Sequence, residues 1–411
     1  MLLSAPGRGP ILSFDFPLSR SAAEARLSAF LPYAGRAYTE HRNEDQGQGR
    51  HHAVSRLSAA LRRRLISEEE VARAVVAQHG QQAAAKFLAE LFWRTYWKGW
   101  LEQHPSVWRE WRSRCAALNA RGRPEGYEAA VDGRTGIDAF DGWVHELRET
   151  GYLHNWARMQ FASIWIFTLG LPWELGAAFT FDHFIDADAA SNTLSWRWVA
   201  GLHTNGKAYL ADADRIHART GGRFRPVGLA REPVVPRETS AAPRERLRAA
   251  VAASPDVPTL ILLTPEDLSL ETEGALAQID VRHVVACRSH CRGPGDIAAT
   301  ADGLQRAASH WRVPAAWVDD LDGVFDLARW QGVRQILTGY AAVGPVADAL
   351  AEAVLPEGMV LAEHQRPWDA RAWPYCTKGY FALAKQIPAL LAEAGMDRSA
   401  SHLAHDLVKK A

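Results

Sequence analysis

The chain has 411 residues, of which 47% are hydrophobic, and its 47 basic and 47 acidic residues give a formal net charge of zero. This length and apolar content predict two domains or three, with a large core. The sequence has no run of about 18 apolar residues, which excludes a membrane-spanning helix, and its first residues do not resemble a signal peptide. We therefore expect a cytoplasmic protein without a membrane partner. The balanced charge neither requires nor excludes a nucleic-acid partner.

The cysteines carry little functional signal. Four cysteines in so long a chain do not make a disulfide framework. Cys287 and Cys291 lack the second pair that a zinc or iron–sulfur site needs. We expect four reduced thiols and no metal site.

The chain divides into three predicted segments. Residues 1–230 are expected to form an all-α domain, because residues 20–230 repeat apolar side chains at helical spacing. Within them, Ser67 followed by three glutamates is typical of a helix N-cap with an acidic first turn. Residues 231–257 are rich in Pro, Ser, Ala and Arg and predict a linker with one short helix near 244–253.

Residues 258–411 are predicted to form an α/β domain with a parallel, Rossmann-like sheet. Short apolar runs alternate there with helical segments, which is the βαβ pattern. The five predicted strands are 259–264, 282–287, 315–318, 334–338 and 359–362. No GxGxxG follows the first of them, so a dinucleotide fingerprint is missing there. The tail 373–391 is expected to form one further helix that packs on a neighbour.

The stretch FIDADAASNTLSWRWVAG, residues 184–201, places two carboxylates in an apolar context. Helical spacing puts Asp188 and Asn192 on one face, which Trp196 extends. Buried carboxylates need a cation or a donor-rich ligand, and we expect Arg158 to pair with them. The stretch alone allows two interpretations: a structural salt bridge among packed indoles, or a ligand site.

Four separated motifs together resemble one family. They are VSRLSAALRRRLIS (54–67), FLAELFWRTY (87–96), TGYLHNWARM (150–159) and the stretch above. In order and spacing, across about residues 20–225, they resemble the FAD domain of the photolyase/cryptochrome family. This resemblance implies FAD as the cofactor, in its reduced form if the protein repairs DNA.

The resemblance also implies a set of cofactor contacts. Ser55, Arg56, Leu57 and Ser58 match the loop that cradles the FAD diphosphate at a helix start. Arg158 and Asp186 match the ion pair beside the isoalloxazine, and Asn192 matches the residue that faces flavin N5. The full set of implied cofactor-binding residues is Tyr38, Ser55, Arg56, Leu57, Ser58, Arg94, Arg158, Asp186, Asp188 and Asn192.

Two indoles match the electron-transfer chain of the family. Trp196 and Trp173 fall at its first two positions, where an oxidisable ring is needed. The third position falls at Ala120, so the chain either ends early or uses Trp111 or Tyr127 instead. Each of these tryptophans, taken singly, also has an interpretation as plain core.

The implied substrate is a cyclobutane pyrimidine dimer flipped from UV-damaged DNA into a pocket over the flavin. Asn155 and Met159 stand where the (6-4) branch of the family carries a His pair, which disfavours that branch. Trp156 replaces an arginine that usually supports the lesion, and Thr95 replaces a common glutamate. The implied substrate contacts are Glu90, Trp93, Asn155, Trp156, Met159 and Trp198, and the implied catalytic residues are Glu90, Asn192, Trp196 and Trp173.

Three functions stay open at this point. The leading interpretation is a photolyase-like lyase. The alternative is a cryptochrome-like blue-light photoreceptor with a signalling partner protein. The third is a flavoprotein that uses its FAD in another redox or interaction role. Arg62, Arg63 and Arg64 are expected to form either a basic rim for DNA or a solvated helix face. The sequence leaves the oligomeric state open.

The α/β domain has two interpretations of its own. Its first strand, LILLTPEDLSLE (260–271), shares Asp267, Leu268 and Leu270 with the opening of the antenna domain that begins ordinary family members. This similarity suggests an antenna-type domain relocated by circular permutation, and the other interpretation is an unrelated α/β module. The binding of a second, antenna chromophore is left open, because the arginines of that opening are absent.

Overall fold

The computed structural model describes residues 16–204, 206–236 and 242–396. The α-helices within these ranges are α1 (Arg20–Phe30), α2 (Arg36–His41), α3 (Ser58–Arg62), α4 (Glu68–Ala83), α5 (Ala85–Glu102), α6 (Ser106–Ala120), α7 (Tyr127–Val131), α8 (Asp138–Thr150), α9 (Asn155–Ser163), α10 (Trp173–His183), α11 (Ala189–Val199), α12 (Ala213–Arg219), α13 (Pro294–Trp311), α14 (Leu321–Trp330), α15 (Pro345–Glu352), α16 (Pro367–Ala372), α17 (Phe381–Ala384) and α18 (Ile387–Glu393). The strands are β1 (Thr259–Leu263), β2 (Val281–Cys287), β3 (Ala315–Val318), β4 (Gln335–Gly339) and β5 (Val360–His364).

The first part of the chain is helical, as predicted, and α5 lies at its centre. Ser67 caps α4, and its backbone and hydroxyl exchange hydrogen bonds with Glu70 in a capping box. Helix α5 packs against α2, α4 and α11 and also against α16 and α17 from the end of the chain. Its side chains therefore reach both halves of the molecule.

The second part is built on one parallel sheet with the strand order β3-β2-β1-β4-β5. All neighbouring strands are parallel; for example, Leu260 pairs with Ile336 of β4. This order matches the first five strands of the doubly wound fold. The five predicted strands and the predicted fold class, an all-α domain followed by an α/β domain, are confirmed. The relocation of an antenna-type domain stays a proposal.

The connector between the two parts contains no helix over residues 242–254, so the short helix expected near 244–253 is wrong. Its backbone is bonded to both parts instead. The amide of Glu245 donates to the carbonyl of Gln103 on the helical side, and the amide of Glu363 in β5 donates to the carbonyl of Val251. We propose that the domain boundary lies in this connector.

The tail 373–391 forms three short helical pieces and not the single helix expected. They are a 3₁₀ turn, Trp373–Tyr375, followed by α17 and part of α18. The side-chain amide of Gln103, just after α5, donates to the carbonyls of Trp373 and Cys376, so a partner on another element holds the first piece. The first and last pieces each have a proline at their start, where a helix tolerates it. A proline in the interior of one long helix would instead disrupt it.

The arginine run Arg62–Arg64 lies between the two parts, and both expectations for it are wrong. The three residues are only 2–4% exposed. Arg62 pairs with Glu266 at 3.0 Å, Arg63 pairs with Asp296 at 2.7 Å, and Arg64 hydrogen-bonds Asp369. All three acids belong to the α/β domain, and a run of buried cations requires such partners.

Two further expectations can be compared with the structure. None of the helices in the described ranges is both long and apolar enough to cross a membrane. All four cysteines lie in those ranges, and none of them is in a disulfide.

Candidate functional site

A cavity of about 720 Å³ opens among α2, α5, α9, α11 and α12. This volume lies in the range of about 300–1,000 Å³ that is usual for small-molecule and cofactor sites. With the exception of Trp173, every site residue expected from the sequence lines it. These residues are Tyr38, Ser55, Arg56, Leu57, Ser58, Glu90, Trp93, Arg94, Asn155, Trp156, Arg158, Met159, Asp186, Asp188, Asn192, Trp196 and Trp198.

The expected ion pair between Arg158 and Asp186 is present. Nη2 of Arg158 lies 3.0 Å from Oδ2 of Asp186, and the same guanidinium packs 3.8 Å from the ring centroid of Phe184. Burial acts to raise the pKa of the Asp186 carboxyl, but the charge and hydrogen bond of Arg158 outweigh it and lower the pKa below its ordinary value. Asp186 is therefore a stable anion inside the cavity wall.

Asp188 lies between two cations of α5. Its Oδ2 is 3.5 Å from Nζ of Lys98 and 3.8 Å from Nη1 of Arg94. Its Oδ1 accepts from the amide of Ser191, which makes Asp188 the N-cap of α11. Although burial acts to raise its pKa, the lysine and arginine charges lower the pKa far below the ordinary value. The carboxylate thus fixes the start of the helix that carries Asn192 and Trp196.

The amide of Asn192 is oriented by two neighbours on α10. Its Nδ2 donates to the carbonyl of Ala177 at 2.8 Å, and its Oδ1 accepts from the hydroxyl of Thr180 at 2.9 Å. A carbonyl can only accept, so Ala177 fixes which end of the amide carries the N–H. One N–H and one lone pair of the side chain remain for a ligand. The hydroxyl of Thr180 also accepts from the indole N–H of Trp196 at 2.9 Å.

Hydroxyls and cations meet at the start of α3. Ser55 and Arg56 lie just before this helix, and Arg56 has a left-handed φ of 54°. Arg215 and Arg219 of α12, four residues apart on one helix face, line the same cavity. A helix start with hydroxyls and guanidinium groups suits a diphosphate.

The donors and acceptors of the wall fit a dinucleotide. Oδ1 of Asp186 and Nη1 of Arg94 are buried without a hydrogen-bond partner among the described residues. Buried groups of this kind are costly unless something satisfies them. A ligand with ring N–H and carbonyl groups at one end and phosphates at the other would satisfy the acid, the arginine and the cations near α3.

Glu90 and Trp93 lie on one face of α5 at the cavity. Oε1 of Glu90 is 3.8 Å from Nε of Arg42. Burial raises the pKa of the Glu90 carboxyl, although Arg42 and Lys86 oppose this shift. The ring of Trp93 stacks on Tyr380 of the α/β domain, with centroids 3.9 Å apart and planes at 9°. A tyrosine of the second domain thus supports this indole.

The remaining expected substrate contacts differ in how much surface they offer. Asn155 is exposed at the start of α9, and Met159 and Trp198 are half-buried. Trp156 is only 4% exposed. Its indole belongs mainly to the core, so it presents far less surface than an arginine at this position would.

Within the described part of the chain, the ring contacts of Trp196 lead to Trp165 and Tyr127 and not to Trp173, the residue expected from the family. Trp196 makes a ring pair with Trp165 at 6.1 Å, and Trp165 makes one with Tyr127 at 5.9 Å. Trp173 is buried beside Arg197, 5.8 Å from its guanidinium carbon. No ring pair joins Trp173 to Trp196 among the described residues.

Trp111 and Tyr127, the two replacements considered for the third position of the electron-transfer chain, differ in whether ring contacts connect them to Trp196. Trp111 packs against Trp108 at 4.9 Å, and its N–H donates to the carbonyl of Glu174. Tyr127 lies at the end of the ring route and is partly exposed at the start of α7. Ala120 is exposed at the end of α6. Tyr127, and not Trp111, thus connects through rings to Trp196.

Besides Arg215 and Arg219, five residues that the sequence analysis did not select shape the site. Arg42 and Lys98 each follow an expected site residue by four positions at helical spacing, which is a signal that could have identified them. Thr180, Trp165 and Tyr380 had no such signal, because each meets the site across elements.

The carboxyl ends of the strands in the α/β domain are occupied by protein side chains. In such sheets, ligands bind where the strand order reverses, which is between β1 and β4 here. Asp267 lies there, in a two-pronged hydrogen bond with Arg366 at 2.6 and 2.8 Å. Arg64 of the helical domain lies 3.6 Å from the same carboxylate. A pigment at this position would have to displace these ion pairs.

Comparison with known proteins shows which family this chain is similar to. The family model for the FAD binding domain of DNA photolyase matches residues 87–221. The deoxyribodipyrimidine photo-lyase of Escherichia coli is 29% identical over 212 residues, covering 49% of this chain and 43% of the relative. An enzyme of the same name from Thermus thermophilus is 32% identical over 206 residues, covering 50% and 47%. This chain thus spans less than half the length of these relatives.

Among solved structures, a bacterial class III photolyase from Agrobacterium tumefaciens aligns with a TM-score of 0.42 and 25% sequence identity. That alignment covers 49% of this chain and 43% of the other. A cryptochrome from Synechocystis sp. PCC6803 aligns with a TM-score of 0.44 and 21% identity, over 54% of this chain and 49% of the other.

Proposed function

Because this chain belongs to the photolyase/cryptochrome family through its FAD-binding domain, we propose that it is a light-driven enzyme that splits cyclobutane pyrimidine dimers in DNA. FAD is its cofactor. The observation that carries the proposal is the position of Glu90, Trp93, Met159 and Trp198 on the wall of the cavity that also holds the Arg158–Asp186 pair. One cavity thus offers groups for a dimer beside groups for a flavin.

When bound, reduced FAD supplies an electron in blue light that opens the cyclobutane ring and then returns, so the reaction has no net redox change. The protein binds and orients the two partners. Asp186, Arg158 and Asp188 provide fixed charges for the cofactor. The one free N–H and the free lone pair of Asn192 suit a ligand whose edge can both donate and accept.

We propose that Glu90 binds the dimer directly. Its carboxyl lies at the cavity and is held near Arg42. It accepts from a pyrimidine N–H as an anion, or donates to a carbonyl oxygen when protonated, and its raised pKa brings the second state closer to neutral pH. Trp93 and Trp198 offer ring faces for stacking.

The proposed DNA partner is supported by charge at the cavity. Six arginines line it, against the three acidic residues Glu90, Asp186 and Asp188. Phosphate contacts by such groups supply most of the non-specific affinity for DNA. The lining of the cavity therefore has an excess of arginines although the whole chain has no net charge.

A second candidate function is a cryptochrome-like photoreceptor. The ring route from Trp196 through Trp165 to Tyr127 favours it, because this route links the cavity to a partly exposed residue. Such a route supports light-driven reduction of oxidised FAD. The buried Trp156, in place of an arginine that supports the lesion, favours it as well.

The test is repair of an oligonucleotide with one thymine dimer by the purified protein, with its FAD chemically reduced, in blue light and in the dark. We expect loss of the dimer in light alone. The double variant Glu90→Ala, Trp93→Ala should lose repair. Glu149→Ala, which removes an exposed carboxylate of α8, should retain it.

Absence of repair by a sample whose spectrum shows fully reduced FAD would reject the proposal for this lesion. The photoreceptor would then be tested by illuminating the oxidised protein. Light-driven reduction of FAD together with a light-dependent change in proteolytic cleavage would support it.

A further inference from the structure

A short segment of the α/β domain lies beside the proposed substrate residue Trp93. Residues 377–381, here named the rim segment, follow the 3₁₀ turn at 373–375 and end at Phe381, the first residue of α17. Tyr380 of this segment stacks face to face on Trp93 and donates its hydroxyl proton to the carbonyl of Ala89 at 2.7 Å. The hydroxyl of Tyr96 donates to the carbonyl of Lys378. Two hydrogen bonds and a ring stack thus fix the rim segment on α5.

The rim segment turns other side chains outward. Phe381 is 79% exposed although its neighbour Tyr380 is 7% exposed. Lys378 and Gly379 are exposed as well. A single exposed aromatic residue is ordinary on protein surfaces, so its position is what distinguishes Phe381. Its ring lies 6.3 Å from that of Tyr380, and two successive ring contacts connect it to Trp93.

The local charge suits a polyanion. The rim segment contributes one exposed cation, Lys378, and has no acidic residue. Six arginines and three acidic residues line the cavity beside Trp93, so its lining has an excess of positive charge. Trp330, on α14 of the same domain, is equally exposed at 80% but lies among the exposed Arg329 and Asp326. Phe381 and Trp330 are thus equally exposed, but of the two Phe381 lies near the cavity.

We propose that the rim segment contacts the DNA duplex from which the dimer is flipped. Extrusion of two bases leaves a gap in the stack, and proteins fill or wedge such gaps with apolar side chains. Phe381 stacks on the bases that border or face this gap, and Lys378 contacts a backbone phosphate. The α/β domain therefore takes part in substrate recognition. This inference rests on the proposed function.

The first test measures binding in the dark with the FAD-loaded protein. Fluorescence anisotropy compares a duplex that carries one thymine dimer with the undamaged duplex. We expect Phe381→Ala to weaken dimer binding by about 5- to 150-fold, the range for loss of one base–aromatic stack. Trp330→Ala is the matched control and should bind as the wild type does.

A second measurement reports the contact itself. A 2-aminopurine placed opposite the dimer should lose fluorescence when the wild type binds and regain it with Phe381→Ala. Lys378→Ala should lower the slope of the logarithm of affinity against the logarithm of salt concentration by about one. Because both side chains are exposed, the flavin spectrum and melting temperature of each variant should equal those of the wild type.

The outcomes separate the two proposals. If the wild type shows no preference for the dimer duplex, the proposed function fails and the inference fails with it. If the wild type prefers the dimer but Phe381→Ala binds equally well and quenches 2-aminopurine equally, only the inference is overturned. Equal losses for Phe381→Ala and Trp330→Ala would overturn it too, since the effect would not depend on position.

Discussion

Trp196 and Trp165 cross at 87° with their ring centroids 6.1 Å apart. Gly176 of α10 lies against both rings: a Cβ there would be 2.3 Å from Cη2 of Trp196 and 2.8 Å from Nε1 of Trp165. A Cβ does not approach another heavy atom this closely, so only a glycine allows this packing. Trp165 is fully buried and leads on to Tyr127. The oxidisable rings beside the cavity thus include one that sequence reasoning did not select.

Trp165→Phe should slow light-driven reduction of bound, oxidised FAD several-fold in the presence of a soluble thiol. Phenylalanine keeps the packing but is not readily oxidised, so the path from Trp196 to Tyr127 is cut. The measurement is bleaching of the flavin absorbance under blue light.

Trp173→Phe tests the path expected from the family. If this variant loses photoreduction and Trp165→Phe does not, electrons travel through Trp173, and the ring contacts around Trp165 are only packing. A tyrosyl radical, detected by electron paramagnetic resonance in the wild type and lost in Tyr127→Phe, would place Tyr127 at the end of the path.

Asp186→Asn should release FAD and destabilise the helical domain. The substitution leaves the guanidinium of Arg158 without its anion. Loss of one partner of a fully buried pair costs about 3–5 kcal/mol, and the cost here should be smaller because the Arg158 side chain is 25% exposed. The FAD content per protein and the urea midpoint measure the two effects. Arg134→Ala, at an exposed ion pair, should change neither.

Stability should fall as the pH drops from 6.5 to 4, in part because of His290. Burial lowers the pKa of this imidazole to about 4, and neither ring nitrogen has a hydrogen-bond partner in the part of the chain that the structure describes. The unfolded state takes up a proton near pH 6.5, whereas the folded state does so only near 4, so protonation favours unfolding in this window. Between pH 7 and pH 5 the loss from this group is about 2 kcal/mol.

His290→Leu removes that contribution. The free energy of unfolding of this variant should therefore fall less between pH 7 and pH 5 than that of the wild type. Denaturant titrations at both pH values provide the comparison. Identical pH slopes for the two proteins would show that His290 is not buried in its neutral form.

Arg64→Met should loosen the contact between the domains. Arg64 is 2% exposed and bonded to Asp369, with Asp267 and Glu68 each 3.6 Å from its guanidinium. Its removal leaves buried carboxylates without this cation, at a cost of about 3–5 kcal/mol. We expect a lower urea midpoint and faster proteolysis of the connector.

Arg329→Met provides the reference for that experiment. Arg329 pairs with Asp326 on the surface, and both side chains are well exposed. An exposed pair contributes about 0–1 kcal/mol, so this variant should unfold as the wild type does. An Arg64→Met protein equal to it would show that the interdomain arginine contributes no net stability.

The sequence was most informative where local patterns carry the signal. Apolar runs of strand length located all five strands, and the capping pattern at Ser67 located the start of α4. The resemblance of four separated motifs to the photolyase/cryptochrome family selected residues that line one cavity. The sequence was least informative for Arg62–Arg64, since a run of arginines has the same local pattern on a solvated face and in a buried interface.

By itself, then, the sequence determined the two fold classes and the order of the elements, which follow from local periodicity. Its resemblance to one family indicated the residues that meet at the cavity. Only the tertiary structure decided that Tyr380 stacks on Trp93, that Trp165 lies beside Trp196, and that Asp267 lies near Arg64 of the helical domain. The physical reason is the same in each case. These contacts join residues on different elements, and their energies come from burial and from charge pairing in a low dielectric, which exist only once the elements have packed together.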